Sequence, residues 1–137
     1  QRQMCIRDRI WGFAVVDQEI IDEINILNAT YEAMRLAALS LSLKPDYVII
    51  DGKPIKNCPF RNHSIVKGDS KSLSISAASV IAKVERDRIM IKYSNEFPSY
   101  AFEKHKGYGT KIHMNALKEY GPCRIHRKSF APVMKYS

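Results

Sequence analysis

No stretch of this 137-residue chain is apolar for long enough to span a bilayer, and no charged segment leads into an apolar one as in a secretory leader. Cysteine is scarce. Cys5, Cys58 and Cys123 are odd in number, scattered, and form no C-x-x-C pair. This argues against a disulfide framework and a structural zinc site, and points to a reducing, cytoplasmic compartment. Internal repeats and low-complexity tracts are lacking. The run KGDSKS from Lys67 lacks the G-x-x-x-x-G-K-[ST] spacing of a phosphate-binding loop, and no other Gly-rich loop supports a small-nucleotide domain.

Apolar residues, by contrast, make up 45% of the chain, too many for a disordered polymer. The length suffices for one domain with a core but hardly for two. Charge is uneven. From Lys104 onward lie eight of the 22 Lys and Arg but one of the 14 acids, Glu119, so this segment carries +7 of the net +8. A basic surface confined to one end suits a polyanionic partner; the alternative is a solvated tail that aids solubility.

Residues 1–9, QRQMCIRDR, show no helical or strand period and are set apart as a non-native leader, leaving 10–137 as the domain. IWGFAVV (10–16) reads as a strand and DQEIIDEIN as a helical turn. Asn28 is placed to cap a helix over 29–41, where Met34, Leu36, Ala37, Ala38 and Leu41 form a buried side. Lys44-Pro45-Asp46 breaks that helix. Tyr47–Ile50 has the continuous apolar character of a strand buried on both faces. A loop spans Pro54 to Pro59, and Ser64–Gly68 is a weaker strand. The clearest helix covers 74–93; its small front end, Ser76 to Ser79, is suited to lie close to the strand ends. A further helix fits 110–120, stopped by Gly121 and Pro122. This order implies a mixed α/β domain.

Two apolar runs end on carboxylates, Asp51 and Asp69, each beside a glycine, Gly52 and Gly68. Ligands of α/β sheets gather at the carboxyl ends of strands. If the two strands are parallel neighbours, both acids converge there as hard oxygen ligands for Mg²⁺ or Mn²⁺, ions that catalyse phosphodiester hydrolysis. Taken singly, Asp-Gly is a common turn and Gly-Asp-Ser a common helix entry.

Four segments, DYVIIDG, VKGDSKSLSISAASVIAKVERDRIM, FEKHKGYGTKIHMNALKEYGP and HRKSFAPV, together with IDEINILNATYEAM, resemble bacterial ribonuclease HII (type 2 ribonuclease H) from about Trp11 to Val133. The resemblance implies a ribonuclease H-like mixed sheet flanked by helices, with a helical C-terminal region. It implies an endonuclease that cuts the RNA strand of RNA–DNA hybrids and cuts at ribonucleotides embedded in DNA, using two ions, Mn²⁺ or Mg²⁺, held by four acids. Asp51 corresponds to the third acid and Asp69 to the fourth. Tyr108 in HKGYGT corresponds to the tyrosine that packs on the deoxyribose beside the ribonucleotide, where an aromatic face tests the sugar; the alternative is a loop aromatic plugging the core edge. Lys67, Lys106, Arg127 and Lys128 are expected to meet phosphates. The implied protein acts as a monomer, away from membranes. His105, His113 and His126 lack metal-site spacing and read as phosphate or backbone hydrogen-bonders or as surface. Ser76 and Ser79 read as packing residues rather than nucleophiles.

The chain departs from the family pattern in lacking Asp-Glu-Ala-Gly-Arg-Gly, the opening motif that supplies the first two acids and the loop reading the ribose 2′-OH. Its one Asp-Glu pair, Asp22-Glu23, lies in the expected helical turn and is not a substitute. The chain therefore resembles the C-terminal part of such an enzyme, truncated before its central strand and inactive by itself. The competing reading is a non-catalytic module that binds hybrid or duplex, for which Asp51 and Asp69 are dispensable.

Overall fold

The computed structural model describes residues 10–55 and 58–136. The expected leader, with Cys5, and the middle of the Pro54–Pro59 loop lie outside the described residues.

Residues 10–16 form no strand. Their exposure alternates as a strand's would, with Trp11, Phe13 and Val15 outward, but no other strand pairs with them among the described residues. Gly12 instead lies against the end of the first helix, where an added Cβ would meet Ser40 Oγ at 2.5 Å. That helix, α1 (Gln18–Leu39), starts at Asp17, whose carboxylate accepts the Ile20 N–H at 3.0 Å. It kinks at Asn25, held at φ 67° and ψ 163°. Asn25 Oδ1 accepts the N–H groups of Leu27 and Asn28 at 3.0 and 3.1 Å and so restarts the helix. The expected cap, Asn28, does not take that role; its side chain donates back to the Ile24 carbonyl.

β1 (Tyr47–Asp51) and β2 (Arg61–Ile65) are parallel neighbours, with Tyr47 opposite Arg61 and Asp51 opposite Ile65. The second strand thus lies earlier than the expected 64–68, because Lys67 turns the chain at φ 56° into a short 3-10 turn, Gly68–Ser70. β1 is not buried on both faces. Ile50 is 4% exposed, whereas Tyr47 and Ile49 are 56% and 37% exposed, so one face of the pair is uncovered among the described residues.

α2 (Leu73–Glu96) follows the turn, then α3 (Phe102–His105), α4 (Lys111–Tyr120) and α5 (Ala131–Met134). The front of α2 meets the strand ends through buried Ile75. Its small residues Ala77, Ala78 and Ser79 face outward instead. α4 matches the expected helix: Thr110 Oγ1 caps it, and Gly121, at φ 70°, ends it. The core lies in this C-terminal half, where Tyr100, Phe102, Ala116, Leu117 and Val133 pack with Met90 and Phe97. Tyr100 closes it by donating its hydroxyl to the Gly121 carbonyl at 2.6 Å.

Candidate functional site

Parallel pairing puts the ends of β1 and β2 on one edge, as the aspartates require. Asp51 closes β1, and its Oδ1 accepts the Gly68 N–H at 2.8 Å. The next residue is Asp69, whose Oδ1 accepts the Ser70 N–H at 2.8 Å. The two acids are therefore one residue and one hydrogen bond apart, and both are exposed. Gly68 between them packs closely: a Cβ there would lie 2.6 Å from Ile75 Cδ1, which would have to shift, and in ordinary contact at 3.5 Å from Asp51 Cα. Each carboxylate keeps a second oxygen with no protein donor among the described residues. Hard oxygens of this kind fit Mg²⁺ or Mn²⁺. Two carboxylates make an incomplete ligand set, and among the described residues no group of three or more His, Cys, Asp or Glu could hold a metal ion.

Tyr108 lies on the loop between α3 and α4 and is 58% exposed, so its ring does not plug the core. The Arg86 guanidinium sits 4.7 Å from the ring centroid. Nothing in the sequence marks Arg86 out from the other charges of α2; only the packing of α2 on α3 brings it to the tyrosine. At 1.5 Å per residue, Leu73 and Arg86 are about 20 Å apart along α2. The carboxylates and the tyrosine thus flank one helix.

The expected phosphate-binding cations lie on three separate segments. Lys67 is exposed beside Asp69. Lys106 Nζ donates to the Glu103 carbonyl, leaving other donors on its ammonium. Arg127 lies 4.6 Å over the Phe130 ring. Lys128 is exposed, and its backbone is held by Asp22. Asp22 is a residue whose role sequence reasoning missed: it accepts the N–H groups of Lys128 and Ser129 at 2.7 and 3.1 Å and the Ser129 hydroxyl. The Ser129 hydroxyl is the main reason its carboxyl is held below the usual range, with the backbone bonds and Arg127 adding to the effect.

The three histidines are not surface residues. His105, His113 and His126 are 5%, 5% and 8% exposed, gathered around Phe102. The backbone-bonding reading holds for His105 and His113, which meet the Tyr100 and Tyr108 carbonyls at 2.8 and 3.0 Å. Burial lowers the pKa of His113 and of His126.

The protein is of the mixed α/β class, with helices around a small parallel sheet and two carboxylates at or just beyond its strand ends. The solved ribonuclease H2 from Pyrococcus horikoshii shares this fold, with a TM-score of 0.68 over 88% of this chain and 65% of that one, at 24% identity. The sequence narrows the class. The ribonuclease HII family profile matches residues 6–133. Ribonuclease HII of Caldicellulosiruptor bescii is 53% identical over 120 residues, covering 88% of this chain and 58% of that protein. Ribonuclease HII of Caldanaerobacter subterraneus is 54% identical over 120 residues, covering 88% and 50%. The chain belongs to the ribonuclease HII family, and it spans roughly half to three-fifths of the length of these relatives.

Proposed function

We propose that this chain supplies the third and fourth metal-binding acids and the sugar-contacting tyrosine of a ribonuclease HII. Such an enzyme hydrolyses the RNA strand of RNA–DNA hybrids and cuts at ribonucleotides embedded in DNA. The observation that carries the reading is the Asp51–Gly68 hydrogen bond, which joins two exposed carboxylates at one parallel strand edge. Asp51 and Asp69 would hold Mg²⁺ or Mn²⁺. Such ions, when bound, activate water and stabilise the leaving oxygen. The Gly68 and Ser70 amides each hold one oxygen of a carboxylate, which leaves the other oxygen of each for a metal ion. Lys67, Lys106, Arg127 and Lys128 are suited to phosphates, which fix register without reading bases. Tyr108, backed by Arg86, offers its exposed ring to a deoxyribose.

Two acids cannot offset the mutual repulsion of two divalent ions. The isolated chain is therefore proposed to be inactive. The test is cleavage of a duplex containing one ribonucleotide, with Mg²⁺ or Mn²⁺. The chain alone should not cut; joined to a segment bearing Asp-Glu-Ala-Gly-Arg-Gly it should, and Asp51→Asn should abolish that activity. Cutting by the chain alone, lost in Asp51→Asn, would show that two acids suffice. Failure of the joined form to cut, with duplex binding unaffected by Asp51→Asn, would instead favour a non-catalytic binding module.

A further inference from the structure

The buried histidines lie on the inner side of the loop that carries Tyr108, and with both His113 and His126 neutral their hydrogen bonds admit one consistent proton arrangement. The Tyr108 carbonyl can only accept, so His113 Nδ1, 3.0 Å away, must donate. In a neutral ring this leaves His113 Nε2 as an acceptor. The 3.0 Å contact between His113 Nε2 and His126 Nε2 then makes His126 the donor. His126 Nδ1 becomes an acceptor in turn, and it receives the Cys123 N–H at 3.0 Å. His105 forms a parallel arm. Its Nε2 donates to the Tyr100 carbonyl at 2.8 Å, and its Nδ1 accepts the Gly107 N–H at 3.2 Å. The His105 and His113 rings stack at 4.4 Å, 12° from parallel.

We infer that His113, braced by His126 and His105, is a positioning residue that fixes the backbone of Tyr108 and thereby aims its exposed ring. The inference rests on the reading of Tyr108 as a sugar contact. Two adjacent backbone groups, the Gly107 N–H and the Tyr108 carbonyl, are each held by a buried imidazole. The loop needs such restraint, because Lys106 and Gly107 both sit at positive φ, 49° and 80°. The arrangement also resists a proton. A proton added at His113 Nε2 would send the His126 proton to Nδ1, where the Cys123 carbonyl lies at 3.3 Å and Sγ at 3.1 Å, and would set that N–H against the Cys123 N–H that Nδ1 now accepts. The ionisable groups packed around these rings are Cys123, Tyr100 and His105, with Glu103 beyond His105 and the Arg124–Glu96 pair beyond Cys123. None places a carboxylate against His113 or His126 that would stabilise an imidazolium.

The test has two arms, both on the 137-residue chain. Histidine ¹H–¹⁵N spectra should show His113 protonated on Nδ1 and His126 and His105 on Nε2. An Nε2-protonated His113 would overturn the inference. In the second arm, binding of a duplex with one ribonucleotide is measured for His113→Leu, His113→Asn and Tyr108→Ala. Leucine fills the space without a donor and should weaken binding by about tenfold, the scale of one stacked ring. Asparagine, whose amide nitrogen can replace Nδ1, should restore most of it. Adding Tyr108→Ala to His113→Leu should cost nothing further if His113 acts through Tyr108; fully additive losses would overturn the inference. As pH falls below the ordinary histidine value, binding should fall more steeply for the parent chain than for His113→Asn, and equal profiles would count against it. If the tautomers are as assigned and Tyr108→Ala alone leaves binding unchanged, the relay stands and the sugar-contact reading fails.

Discussion

Tyr108 presents an exposed ring, whereas Asp22 uses its carboxylate to anchor the backbone of Lys128 and Ser129. Tyr108 has one face toward Arg86 and more than half its surface open. In a complete enzyme built on this chain, Tyr108→Ala is expected to impair cutting at an isolated ribonucleotide more than cutting within a long hybrid, because the ribose–deoxyribose junction exists only in the first. Equal losses in kcat/KM would make the tyrosine a packing residue. Asp22 holds the turn that presents Arg127 and Lys128. Its carboxyl is depressed in the folded state, so its contribution to stability is present above the unfolded carboxylate value and is lost as pH falls through the lower, folded one. Asp22→Asn should accordingly flatten the acid limb of the stability curve, which thermal melts between pH 5 and pH 2 would register.

At the scale of elements, the two halves are held by different means. The strand edge depends on one close approach at Gly68, where an added methyl would press into Ile75, itself only 6% exposed. Gly68→Ala should destabilise by about 1–3 kcal/mol, the usual range for overpacking, and displace the Asp69 turn from Asp51. Loss of duplex cleavage in the complete enzyme without a change in melting would contradict that coupling. The helical half depends on core filling. Leu117 is fully buried on α4, and Leu117→Ala should cost about 2–5 kcal/mol by chemical denaturation. Sequence periodicity located α2 and α4 well, because caps and stops such as Thr110 and Gly121 act within a turn of the helix they bound. It misplaced β2 by three residues, because a strand's limits depend on what it pairs with.

For the whole molecule, charge and burial set two further expectations. If Lys67, Lys106, Arg127 and Lys128 each meet a phosphate, log affinity should fall against log salt with a slope of roughly −3.6, so hybrid binding should weaken about 150-fold between 50 and 200 mM. A flat salt response would remove phosphate contact as the basis of binding. Burial lowers the pKa of His113 and of His126, so the unfolded chain binds more protons just below the ordinary histidine value. Their contribution to stability is full above that value, declines as pH falls toward the lower folded values, and then levels off. His113→Leu with His126→Leu should remove that step from a pH series of melting temperatures.

The two strands in succession, the helices α2 and α4 and the two carboxylates were legible in the sequence, since turn residues, apolar runs and helix caps are local signals spanning a few residues; the strand expected over 10–16 was not formed, because nothing among the described residues pairs with it. The long segments resembling ribonuclease HII carried the family assignment for the same reason. Tertiary structure alone decided the rest. Asp22 meets Ser129 across 107 positions, and Arg86 reaches Tyr108 only because α2 packs on α3. The histidines became a buried relay because the aromatic core closed around them, although nothing in their spacing distinguished a core residue from a surface one. Contacts between segments distant in sequence are set by how the faces of separate elements fit together, and that fit leaves no local trace in the order of residues.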